Sequence, residues 1–130
     1  MYPNSDAIST DVCVPISRLS EVILETVAEI EESGIPGPIV GHVGDGNFHS
    51  LLIMEKGNHN ARKAALKLAE NMSKRALKNG GTVTGEHGIG LGKIKFMESE
   101  HGEGWNIMGD IKRTLDPKNI LNPGKLVRSN

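Results

Sequence analysis

Hydrophobic and polar residues change their spacing along the chain in a way that predicts its elements. Asp11 to Pro15, DVCVP, is a short β-branched run ended by proline and reads as a strand. From Leu19 the apolar residues Leu19, Val22, Ile23, Val27 and Ile30 recur at helical spacing, with Glu21, Glu25 and Glu29 opposite and Gly34 as the stop. After the Pro36-Gly37-Pro38 break come two apolar segments, Ile39–Val43 and Phe48–Met54, read as a hairpin whose two faces are both covered. A second helix runs from about Asn60, its expected cap, to Lys78, with Ala61, Ala64, Ala65, Leu68, Met72 and Ala76 on one side and Gly80-Gly81 at the end. Thr82-Val83-Thr84 reads as a fourth strand.

This order, βαββαβ, predicts an α+β, ferredoxin-like antiparallel sheet with two helices on one face. A C-terminal helix marked by Trp105, Met108, Ile111, Lys112 and Leu115 follows, then an extended tail from Asn119 to Val127. The first and third strands are expected in the centre of the sheet, with the fourth beside the second.

Between the hairpin strands lies GHVGDGNFH, Gly41 to His49. Asp-Gly is a favoured type I′ pair, and with Asp45-Gly46 as the two-residue loop His42 stands directly opposite His49. Opposed residues of an antiparallel pair project from the same face, so the two imidazoles converge. Strand alternation sets them beside Val40, Leu51 and Ile53. If that is the face turned from the helices, a further domain or a second copy of the chain, as in a homodimer, is needed to cover it.

Composition narrows the function. At 130 residues the chain has the size of about one domain. With 15 basic and 16 acidic residues and an aromatic share of 3%, it lacks the basic, aromatic-studded surface of a nucleic-acid binder. Cys13 is alone and cannot close an internal disulfide; its apolar setting reads as a buried core residue. No apolar run is long enough to span a membrane, and MYPNSDAIST lacks the pattern of a signal peptide. The expectation is a soluble intracellular protein, cytoplasmic in a bacterium or mitochondrial in a eukaryote, whose abrupt start leaves room for an upstream segment.

Glycines are concentrated between Gly80 and Gly104, where close backbone approach is expected, and TGEHGIGLGK, Thr84 to Lys93, carries Glu86 and His87 among them. If Glu86 reaches the hairpin, His42, His49 and Glu86 form the two-histidine, one-carboxylate set of catalytic divalent-metal sites. Zinc, manganese and iron all accept those ligands. His87 is then free to act as a general base. The rival reading is structural: paired histidines in an apolar hairpin often only pack, and GIGLGK lacks the Walker A pattern of a phosphate loop. His59 and His101 sit in polar, exposed surroundings, and Asp45 and Asn47 read as turn residues.

Three motifs in order, GHVGDGNFH, GGTVTGEHGIGLGK and DPKNILNPGKLV, together resemble the C-terminal domain of FAD-linked oxidases of the vanillyl-alcohol-oxidase type, and within it the D-2-hydroxy-acid dehydrogenases. The leading TDVCVPISRL is similar to the D-lactate dehydrogenase (cytochrome) branch. The resemblance covers nearly the whole chain. It implies that residues 1–130 are the substrate- and metal-binding domain of an enzyme whose FAD-binding domain lies upstream, so that the isolated chain does not turn over. It further implies a metal, usually zinc, on His42, His49 and Glu86, proton removal from a small 2-hydroxy acid by His87, hydride transfer to FAD, and an electron acceptor beyond the flavin. Asn122, in the NPGK region, is implied as a flavin contact. Where relatives acting on 2-hydroxyglutarate carry an asparagine two residues after the second metal histidine, this chain has Leu51, which favours lactate or another weakly polar acid. The alternatives are a free-standing ferredoxin-like ligand- or metal-binding module without redox activity, and a metallohydrolase, which the absence of an HExxH helix disfavours.

Overall fold

The computed structural model describes residues 3–127, which divide into two compact units, one up to Glu86 and one from His87 onward. In the first unit the strand that organises the sheet is β4, Asn47–Glu55. Preceding it are β1 (Ser5–Ser9), β2 (Val12–Cys13), helix α1 (Ile16–Ser33) and β3 (Ile39–Val40); helix α2 (His59–Lys78) follows. β1 and β2 lie antiparallel on one side of β4 and β3 on the other. Since Ser9 pairs with Leu51 and Val12 with Phe48 in one unbroken register, β1 and β2 are two stretches of a single strand, with Thr10 opposite Ser50 and Asp11 opposite His49.

The α+β, βαββαβ expectation holds, with helices on one face of an antiparallel sheet. The fourth strand needs correction. It shrinks to a bridge between Thr82 and Cys13, so it lies beside the first strand and not the second. On the far side, the carbonyls of Pro36 and Pro38 accept from Ile53 and Leu51 at 2.8 and 3.2 Å, extending the edge beyond β3 without the N–H groups that proline lacks.

The hairpin also departs from expectation. Val40 pairs with His49 and Ile39 with Ser50, a register two residues away from the one that opposes His42 to His49. A type I′ loop needs positive φ at both central residues, and of Asp45 and Gly46 only Gly46, at φ +77°, adopts it. The chain instead turns through a short 3₁₀ segment, Val43–Asp45, before Gly46 leads into β4. Gly46 is required twice over, because a Cβ there would lie 2.0 Å from the carbonyl oxygen of Val14.

Along β4 the residues Phe48, Ser50, Leu52 and Met54 are buried beneath the helices. Phe48 packs with Val12, Val14, Leu19, Val22, Met72 and Ala76; Leu52 and Met54 pack with Ile30, Ile35, Ala65 and Leu68. These are the helical faces that the spacing predicts, except that Ala64 is exposed. Thr26 joins the buried row of α1 because its hydroxyl donates to the carbonyl of Val22 at 2.7 Å and accepts from Arg75 at 3.0 Å. The same guanidinium contacts Glu25 at 3.0 Å and Glu29 at 2.6 Å, pinning α1 to α2. Asn58, not Asn60, caps α2, accepting from the Ala61 N–H at 3.0 Å. The opposite face of the sheet is open among the described residues, Val40 being 66% and Leu51 43% exposed, as expected of a face turned from the helices.

The second unit contains α3 (Met97–His101) and α4 (Gly104–Leu115), followed by the tail. Its anchor is Asp116. Its carboxylate accepts from the Lys112 ammonium and from the backbone N–H groups of Ile120 and Leu121 at 3.0 and 2.9 Å. Trp105 donates from its indole N–H to the carbonyl of Leu126 at 2.8 Å, holding the far end of the tail.

Two outcomes follow from these constraints. Gly34, at φ +68° with open space around it, and Gly46 differ only in crowding, so Gly34→Ala should cost about 1–2 kcal/mol and Gly46→Ala about 3 kcal/mol in urea unfolding. Equal costs would contradict the close approach to Val14. The hydrogen bond from Lys112 leads the effects that hold the Asp116 carboxyl below its ordinary range. Its stabilisation is complete above the unfolded carboxylate value of about 3.9 and is lost as pH falls through the lower folded value. Urea midpoints of the wild type should therefore drop in that acid window, while Asp116→Asn should start lower and vary less there.

Candidate metal centre

Three of the residues singled out in the sequence come together on the open face of the first unit. Glu86 lies between the two histidines, with Oε1 2.9 Å from His49 Nε2 and Oε2 3.8 Å from His42 Nε2. His49 projects from β4 on the face turned from the helices, since its neighbours Phe48 and Ser50 point inward. His42 reaches the same place from the turn, not from a cross-strand position. The side chains grade from buried to open: His49 is 11% exposed, Glu86 46% and His42 66%.

Glu86 arrives from the opposite side of the sheet to His42. After the bridge at Thr82 the chain passes over the first strand, and a buried carboxylate receives it there. Asp11 Oδ2 accepts from the Thr84 hydroxyl at 2.9 Å and from the N–H groups of Gly85 and Glu86 at 2.9 and 3.1 Å. Gly85 passes so close to Asn47 that a Cβ would lie 2.5 Å from its side-chain amide. The expected close approach of the glycine-rich region is thus real at Gly85 and at Gly81, where a Cβ would meet the Cys13 carbonyl at 2.2 Å; around Gly88, Gly90 and Gly92 there is open space.

Asp11 was missed in the sequence. The available signal was an acidic residue inside an apolar strand, which can be buried only if it is well paired. It is 1% exposed, and its Oδ1 lies 3.4 Å from Nδ1 of His49, the residue opposite it in the sheet. Asn47 was read as a turn residue; instead it opens β4, is 6% exposed, and its Oδ1 has no hydrogen-bond partner among the described residues.

The donor set fits a divalent ion. Two imidazole nitrogens and a carboxylate are ligands common to zinc and related metals, and ligands at about 2.0–2.2 Å from one ion stand roughly 3 to 3.5 Å from each other. His49 Nε2, at 2.9 Å from Glu86 Oε1, is close to that spacing, and His42 Nε2, at 3.8 Å from Glu86 Oε2, is wider. Two carboxylates around His49 also give the position a potential that attracts a cation.

His87 follows Glu86 in sequence, is exposed, and is the first residue of the second unit. Asn122, in the second unit, has φ +46°, a left-handed conformation that asparagine tolerates, and lines an apolar pocket of about 600 Å³ with Met108, Ile111 and Leu126. Cys13 is half-buried, with its thiol directed at the Asp45 carbonyl at 3.2 Å. Burial first, then the charges of Asp11 and Asp45, push this thiol above its ordinary value, which keeps it protonated and unreactive. His59 and His101 are exposed, as expected. No helix among the described residues is long and apolar enough to cross a membrane.

Comparison with known proteins places this geometry in context. A family model described as FAD linked oxidases, C-terminal domain, matches residues 1–126. The chain is 47% identical over 128 residues to a probable mitochondrial D-lactate dehydrogenase of Danio rerio, covering 98% of this chain and 26% of that protein. It is 44% identical over 128 residues to the mitochondrial D-lactate dehydrogenase (cytochrome) of Arabidopsis thaliana, covering 98% and 23%. A D-lactate dehydrogenase of Archaeoglobus fulgidus is 40% identical over 122 residues, covering 91% and 26%. The chain therefore spans about a quarter of the length of these relatives.

Proposed function

The chain belongs to the FAD linked oxidases, whose C-terminal domain it matches, and from that membership we propose that it is the substrate- and metal-binding part of a D-2-hydroxy-acid dehydrogenase acting on D-lactate. The observation that carries the reading is the position of Glu86 between His42 and His49 on an open sheet face. These three side chains hold a divalent metal, zinc being the natural choice for the set. A metal bound there supplies Lewis-acid stabilisation of negative charge on the 2-hydroxyl oxygen of the substrate. His42, the most exposed of the three, leaves the site accessible to a small acid.

His87 is the base that accepts the hydroxyl proton, a role suited to an imidazole near neutral pH. It stands one residue from a metal ligand, and so follows the backbone that places Glu86. Leu51, two residues from His49 on the same face, favours a small or weakly polar substituent on C2, such as the methyl of lactate. The flavin, bound mainly by a domain upstream of this chain, would supply the hydride acceptor, and Asn122 in the tail would help to hold it. The whole protein passes electrons to an acceptor beyond the flavin. The names of two relatives support a mitochondrial location.

Elemental analysis of the purified chain tests the site. We expect about one divalent metal per chain, lost in His49→Ala and Glu86→Ala. Unchanged metal content in both variants would sink the ligand assignment. His87→Ala should keep the metal and, in the full-length flavoprotein, lower kcat by about 10²- to 10⁴-fold. A variant of His87 with undiminished kcat would remove it from the reaction.

A further inference from the structure

We infer that Asn47 is a further donor of the metal centre: its side-chain oxygen, buried without a hydrogen-bond partner on the sheet face that carries His49, is reserved for the ion. The inference rests on the metal reading above and extends the ligand set from three side chains to four.

The argument begins with position. Asn47 precedes His49 by two residues in β4, so the two side chains share a face. The register that pairs Val40 with His49 sets His42 opposite Asn47, and the Asn47 N–H reaches the His42 carbonyl at 3.4 Å. Gly85 passes over the Asn47 amide so closely that a Cβ would lie 2.5 Å from it, and the next residue is Glu86. Each of the three proposed ligands is therefore close to Asn47 in the strand, across the turn or along the crossing chain.

Packing alone does not account for an amide here. Asn47 is 6% exposed, and its Oδ1 has no hydrogen-bond partner among the described residues. Donors of the adjacent segments are committed elsewhere. The Thr84 hydroxyl and the N–H groups of Gly85 and Glu86 serve Asp11, and the thiol of Cys13, the neighbour of Asn47 on the other strand, is directed at the Asp45 carbonyl. Burying a carbonyl oxygen without a donor is unfavourable, and leucine, an apolar side chain of the same shape, would avoid the penalty. An orphaned acceptor in a native fold calls for a role. A cation supplies the positive partner that the surrounding chain does not. The amide oxygen, added to two imidazoles and a carboxylate, makes a set of two nitrogen and two oxygen donors, which moves the preference of the site toward manganese relative to zinc.

Asn47→Leu tests this on the whole chain, since it keeps the shape of the side chain and removes the oxygen. Two measurements are compared with wild type: urea unfolding of the metal-free protein, and titration with zinc and with manganese. The urea midpoint of the metal-free variant should rise, because a buried unpartnered acceptor is gone. Both metals should bind more weakly, by about 10- to 100-fold, with the larger loss for manganese. A side chain that serves only the fold would give a different pattern. A lower urea midpoint would show that the amide has a partner within the protein, and an equal loss for the two metals would mark general damage to the site; either overturns the inference.

If the leucine variant does not fold, Asn47→Ala, which removes the oxygen without adding bulk, takes its place in the titrations. The larger loss for manganese is again expected, and equal losses or none overturn the inference. Wild-type protein that binds neither metal overturns the metal reading and this inference together. Wild-type protein that binds metal, with a folded Asn47→Leu that binds both ions as tightly, overturns this inference alone.

Discussion

The register of the first strand on β4 is the constraint from which the rest of the first unit follows. Side chains alternate between the faces of a strand, so a slip of one residue would turn Phe48, Leu52 and Met54 out to solvent and His49 into the core. The apolar row beneath α1 and α2 forbids that slip. Because the register is held by packing on the helix side, the opposite face is free to carry polar residues in fixed positions. Asp11 and His49 are neighbours for that reason, although neither contributes to the core clusters.

A buried carboxylate in this position is costly unless it is well bonded. Asp11 is bonded by three donors from residues 84–86, and the requirement works in both directions. The carboxylate needs the turn, and the turn, ending in Glu86, needs the carboxylate to cross the first strand at a definite height. Gly85 allows this crossing, since any side chain would strike Asn47. Thus a desolvation penalty in the sheet is converted into the placement of an exposed carboxylate, that of Glu86.

What could be read from the sequence divides along the same physical line. The faces of α1 and α2 were legible because a helix announces its buried side within a few residues, as Leu19, Val22 and Ile30 or Leu68, Met72 and Ala76 do. Thr26 escaped because its burial depends on a hydrogen bond to Val22 and on Arg75 from another helix. Asp45-Gly46 pointed to the wrong turn, yet the two-residue difference in register preserved the face of the strand, so His42 and His49 still converge with Glu86. The partner of the fourth strand and the role of Asp11 were not legible, for both depend on contacts between residues about seventy positions apart, which leave no local periodicity. α3 was absent from the expected elements because five residues are too few to establish a helical pattern.

The same contacts bear on what so short a part of the relatives' length can do by itself. His49 is held by β4 and faced by Thr10 and Asp11; Glu86 is held by Asp11; His42 is held by a turn whose Asp45 N–H donates to the His42 carbonyl at 2.8 Å. Every one of these constraints is internal to residues 1–86. A donor set assembled by folding costs little reorganisation when an ion arrives, which is the condition for binding it tightly. The sheet, its helices and one buried carboxylate thus contribute to preorganising the proposed metal ligands.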